Sequence, residues 1–124
     1  METIVKRLKQ GEYHFSSGTI NSPEFNKFYR DFRKVFTKEL IKLNATGVEF
    51  SKGHFYLTGF FKLDEQYYYF SLSDVRHGFG FNRAGNPEML IRTAQHNRDY
   101  TGGVNNYVEI NQDIANSITK TFRL

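Results

Sequence analysis

Near Gly47 the spacing of apolar residues changes from helical to alternating, which limits the chain to folds in which helices cover a sheet. Before the switch, NSPEFNKFYRDFRKVFTKELIKLN places Phe25, Phe28, Tyr29, Phe32, Val35, Phe36, Leu40 and Leu43 on one helical face. Ser22 supplies an N-cap oxygen, and Pro23 suits the first helical position, where a missing N–H loses no partner. Glu24 favours the positive end of the helix dipole, and Lys38 and Lys42 favour the negative end. Asn44 followed by ATG ends the helix.

After the switch, VEF reads as a short strand, SKG as a tight turn and residues 54 to 63 as a long strand. DEQ turns the chain into another strand, from Tyr67 to about Val75. A Gly-rich loop, RHGFGFNRAGNPE, follows, and MLIRTAQ and NNYVEIN form a second hairpin around HNRDYTGGV. QDIANSITKTFRL is a closing helix using Ile114, Ile118 and Phe122; the first ten residues form a short helix through Ile4, Val5 and Leu8. Connections this short leave no room for parallel crossovers. The expected fold is therefore α+β: an antiparallel four- to five-stranded meander sheet, covered on one face by a long amphipathic helix, with a C-terminal helix. At 124 residues the chain makes one domain, residues 1–124.

The absence of cysteine excludes disulfides and thiolate metal sites. Small secreted chains often carry such staples, so the expected location is the cytoplasm. METIVKRLKQGEYHF interleaves charges with apolar residues and reads as neither a leader nor an anchor; no run approaches the ~20 apolar residues of a membrane span.

The net charge of +4 is unevenly placed: residues 1 to 44 hold nine Lys or Arg against five acids, and residues 45 to 124 hold eight of each. At ~100° per residue, Lys27, Arg30, Lys34, Lys38 and Lys42 form a narrow stripe opposite the apolar face of the long helix. Two readings stand. One is a solvated outer face with Asp31 paired to Lys27 and Lys34; the other is a ridge that faces phosphates.

In the central hairpin Phe55, Leu57, Phe61 and Leu63 share a face with Tyr68, Phe70 and Leu72, which the helix covers. The opposite face carries His54, Tyr56, Thr58, Phe60 and Lys62 beside Tyr67, Tyr69, Ser71 and Ser73. Three uses fit this aromatic face. It is covered by the terminal helix or the N-terminal segment, it stacks bases as sheet-based single-strand binders do, or it meets a protein partner or a second copy.

In LIRTAQHNRDYTGGVNNY, Arg92, His96 and Arg98 lie near a turn whose Thr101, Gly102 and Gly103 expose backbone N–H groups. That turn is either an anion nest or a hairpin loop with glycines at positive φ and Asp99 paired to Arg98 or capping the turn. In SLSDVRHGFGFNR, Asp74, Arg76 and His77 cluster at a strand end, where they suit metal-assisted phosphodiester cleavage or structural pairing of Asp74 with Arg76 or Arg92. His14, His54, His77 and His96 show no metal-ligand spacing.

The run YYYFSLSDVRHGFGF followed by MLIRTAQHNRDYTGGVNNY resembles a pattern in small uncharacterised proteins carried by phages and conjugative elements, over roughly residues 53 to 107. The resemblance implies nucleic-acid handling or interference with a host nucleic-acid system, with no established activity, cofactor or partner.

Together these features lead to the expectation of a non-catalytic, cytoplasmic nucleic-acid-binding protein, acting on single strands and needing no cofactor or metal. Lys27, Arg30, Lys34, Lys38 and Lys42 would attract phosphates. Tyr56, Phe60, Tyr67 and Tyr69 would stack bases, with Arg76, Arg92 and Arg98 at the rim. The alternative is a protein-binding module, an inhibitor of a host protein or a homodimer, acting through the aromatic face; a metal-dependent nuclease comes third.

Overall fold

The computed structural model describes residues 1–10, 23–52, 56–73 and 81–124. In chain order the elements are α1 (Glu2–Gln10), α2 (Pro23–Ile41), β1 (Thr46–Lys52), β2 (Tyr56–Leu63), β3 (Gln66–Ser73), β4 (Glu88–Ala94), β5 (Asn106–Glu109) and α3 (Ile114–Phe122). The strands form one five-stranded antiparallel sheet in the order β1-β2-β3-β4-β5, the expected meander.

Left-handed residues make the sharp turns. Asn44, with φ 60°, closes α2 while Ala45 donates back to the Leu40 carbonyl at 3.1 Å. Asp64, with φ 52°, sits in the two-residue turn between Leu63 and Gln66, and a short polar side chain tolerates that conformation. β1 is irregular between Thr46 and Glu49, and this break in the ladder blunts an otherwise open sheet edge.

One face of the sheet carries the core. Leu57, Phe61 and Leu63 of β2, Tyr68, Phe70 and Leu72 of β3, Met89 and Ile91 of β4 and Val108 of β5 pack against Phe25, Phe28, Phe32, Phe36 and Leu40 of α2. The Phe36 and Phe70 rings meet edge to face at 5.1 Å, and Phe50 of β1 meets Phe70 at 5.3 Å. Gly59 lies beneath Phe70 in this layer; a Cβ there would collide with the Phe70 ring and the Glu49 carbonyl.

The two shorter helices join the same layer. Ile4 and Leu8 of α1 and Ile114 and Ile118 of α3 enter the core, and Phe122 meets Tyr68 edge to face at 5.0 Å. The terminal helix therefore lies on the inner face with α2, and among the described residues no helix lies over the outer face.

Candidate functional site

Pleating sends alternate residues to the outer face. Register places Glu49 beside Phe60, Phe60 beside Tyr69, Tyr69 beside Arg92 and Leu90 beside Tyr107 on that face. It holds aromatic bodies, hydroxyls and charges of both signs.

What covers part of this face is the β4–β5 connection, residues 95–105. Asp99 organises it: its carboxylate accepts backbone N–H groups from Gln95 at 3.0 Å, Thr101 at 3.1 Å and Gly102 at 3.0 Å, and the Thr101 hydroxyl at 3.3 Å. These bonds, those from Gln95 and Thr101 foremost, hold the Asp99 carboxyl below its ordinary range. The turn thus surrounds an anion supplied by the chain itself. Of the two readings of this loop, the capped turn holds, with Gly103 at φ 78°.

The loop crosses the sheet toward β1. The Asn97 amide donates to Glu49 Oε1 at 3.1 Å, and the Tyr100 ring meets Phe60 at 5.3 Å and Tyr69 at 5.8 Å at steep angles. Arg92 fastens it from below: its guanidinium lies 4.6 Å over the Tyr69 ring and donates to the Tyr100 carbonyl and to Asn105 Oδ1. Phe60 is only 3% exposed as a result. Its ring offers no face to a base, contrary to the stacking role expected of it, because a loop with no periodic signal folds over it.

Tyr100 takes the accessible position instead, 52% exposed, and Tyr107 is 62% exposed. Tyr107 was legible as the outward residue of the alternating NNYVEIN; nothing local marks Tyr100. Tyr67 and Tyr69 are half-buried, and the Lys62 ammonium lies 5.1 Å from the Tyr67 ring centre. Tyr56 falls in β2 opposite Ser73 in the register, Arg98 is exposed on the loop, and Arg76 lies outside the described residues with Asp74 and His77.

Lys27, Arg30, Lys34 and Lys38 are exposed on the side of α2 turned away from the phenylalanines, hence on the opposite side of the sheet from Tyr69, and Lys42, just past the end of α2, is exposed as well. The basic stripe and the aromatic face are two separate surfaces. Asp31 pairs with Arg7 of α1 at 2.7 Å, in place of the expected Lys27 and Lys34. Arg7 wins because docking of α1 half-buries it against the Phe28 ring, whereas a lysine would give up the mobility of an exposed chain. Lys42 pairs with the buried Glu39 at 2.7 Å.

Clefts open on the surface of the described residues. One of about 570 Å3 lies between α1 and residues 109–112, beside Glu109. The Glu109 carboxylate is satisfied from within, by Asn82 at 2.9 Å, Asn111 at 3.3 Å and Asn86 at 3.1 Å, which hold its carboxyl below its ordinary range. A second, of about 450 Å3, separates α1 from α2 around the Arg7–Asp31 pair. A third, of about 380 Å3, lies between β1 and the crossing loop, bordered by Arg33, Glu49, Phe60, Asn97, Arg98 and Tyr100. Arg33, on the flank of α2, lies 5.7 Å from the Phe50 ring centre; as one cation among several on a helix it gave no signal in sequence.

Among the described residues no group of three or more His, Cys, Asp or Glu is placed to hold a metal ion, and no helix is long and apolar enough to cross a membrane. No family model matches the chain, and no curated protein or solved structure matches it.

Proposed function

We propose that this chain is a non-catalytic nucleic-acid-binding protein that lays a single strand across the outer face of its sheet. The observation that carries the reading is the set of tyrosines Tyr67, Tyr69, Tyr100 and Tyr107, interleaved with Lys62, Arg92 and Arg98, on a face that no described helix covers. Every base has a π-face, and stacking on an aromatic side chain contributes about 1–3 kcal/mol per base without demanding a sequence. Lys62 and Arg92, over the Tyr67 and Tyr69 rings, bring positive charge to the path of a phosphate backbone, while the more exposed Tyr100 and Tyr107 offer rings to the bases. The basic stripe of α2, on the far side, attracts a strand at low salt alone, because the Debye length is about 10 Å at 0.1 M salt and charges farther off are largely screened. A setting in phages or conjugative elements, which the resemblance over residues 53 to 107 implies, agrees with this role.

A second reading, a protein partner or a second copy of this chain on the same face, draws on Val104 and Tyr107, which leave apolar surface exposed beside β5. Fluorescence anisotropy with labelled single- and double-stranded oligonucleotides, across about 50 to 200 mM salt, separates the two. Micromolar binding that prefers single strands and weakens as salt rises is the expected result. Absence of binding at low salt sinks the nucleic-acid reading, and a dimer in size-exclusion with light scattering then supports the second.

A further inference from the structure

We infer that the cleft between β1 and residues 95–105 is a base-reading pocket within this interface, and that the base it takes is guanine. The inference rests on the nucleic-acid reading and adds a specificity that stacking alone does not supply.

The wall of the cleft is Glu49, held in place by the Asn97 amide on Oε1. No hydrogen bond to its other oxygen is present among the described residues. An ionised carboxylate only accepts, so its two adjacent oxygens are complementary to two adjacent donors. On its Watson–Crick edge guanine presents N1–H beside the N2 amino group. Adenine and cytosine each offer one amino group beside an acceptor nitrogen, and uracil and thymine offer one N–H between two carbonyls. Among the bases, guanine alone fits both oxygens.

The rest of the lining suits the remainder of a nucleotide. Tyr100, half-exposed at the rim, provides a ring on which the base stacks. Arg33 and Arg98 reach the cleft from α2 and from the loop, and neither guanidinium has an ion pair among the described residues. Two guanidinium groups flanking the cleft give a phosphate bidentate partners and offset the charge of Glu49 as the strand approaches.

The test uses labelled thymidine strands of equal length with one central guanine, inosine, adenine or cytosine, or thymine throughout. Guanine should bind about tenfold more tightly than the others, inosine included, since inosine lacks the N2 amino group. Glu49→Gln should remove the preference for guanine and leave the melting temperature unchanged, because the Gln oxygen still accepts from Asn97; with one negative charge gone, the all-thymine strand should bind no more weakly than before. Arg98→Ala should weaken all strands alike. Equal affinity for all five strands overturns the pocket and leaves the single-strand reading standing. If no strand binds, that reading fails, and titration with guanosine monophosphate decides the pocket. Amide shifts at Glu49, Asn97 and Tyr100 that adenosine monophosphate does not produce would uphold it, and their absence overturns it.

Discussion

The Asn97 side chain donates a 3.1 Å hydrogen bond to the Glu49 carboxylate, joining the loop after β4 to the far edge strand of the sheet. Between those anchors the loop passes over β3 and β2, and Tyr100 closes on Phe60 and Tyr69. A coil segment thereby decides which aromatics of the outer face are accessible.

Replacing Asn97 with Ala removes this anchor and leaves the core untouched. Net hydrogen bonds contribute about 0.5–1.5 kcal/mol, and an exposed one falls at the low end. The unfolding midpoint should therefore move little, while amide exchange across residues 97–104 accelerates. Unchanged exchange would mean that Arg92 and Asp99 hold the loop without help from β1.

Asp99 gives the loop an acid dependence with a definite sign. Its carboxyl is held below the ordinary 3.8 of an aspartate, chiefly by the backbone N–H groups of Gln95 and Thr101. A depressed folded value means that the stabilisation is fully present above the unfolded value and is lost as pH falls through the folded one. Loop order should thus be constant from neutral pH to about pH 5 and decline only in stronger acid. A carboxyl-carbon NMR titration of Asp99, read beside the Thr101 and Gly102 amides, measures this; in Asp99→Asn the loop should loosen at every pH and the acid step should vanish.

How much of this arrangement sequence can reveal depends on whether a residue's role is periodic. The phenylalanines of α2 repeat at helical spacing and β2 and β3 alternate, so the helix, the hairpin and their shared core are legible from local pattern alone. Periodicity does not say which face of the sheet a second helix chooses, and α3 takes the inner face by placing Phe122 on Tyr68. Nor does it identify partners far apart in the chain: Asp31 has lysines within a helical turn, yet it pairs with Arg7, which only the docking of α1 brings near. Tyr100 is hidden most completely, since its contacts are set by a loop path that Asp99, Arg92 and Asn97 determine together.

Gly59 supplies a test of the core layer. The Glu49 carbonyl and the Phe70 ring occupy the space a Cβ would need, and the backbone oxygen has no rotamer by which to withdraw. Gly59→Ala should force β1 away from β2 at a cost of about 2 kcal/mol or more, in the range of overpacked cores. Urea denaturation would register this as a lower midpoint with the slope retained. A neutral result would show that the irregular stretch between Thr46 and Glu49 absorbs the displacement.

The two separate surfaces make opposite demands on one pair of variants. Tyr107 is exposed on the outer face and lies outside the core, so Tyr107→Ala should leave the fold intact and remove one stacking platform. At about 1–3 kcal/mol per base, affinity for a single strand should fall about 5- to 150-fold, and by a similar factor at low and high salt. Lys34 and Lys38 are exposed on the far side of α2, and the double reversal Lys34→Glu, Lys38→Glu changes the charge without touching that face. If the strand lies on the tyrosines, the reversal should reduce affinity modestly, and only at low salt, where the Debye length exceeds the separation of the surfaces. The opposite pattern, loss of binding on charge reversal with Tyr107→Ala silent, would place the phosphate contacts on the helical layer. The ligand expected there is a duplex backbone, which needs no stacking and is held through its charge.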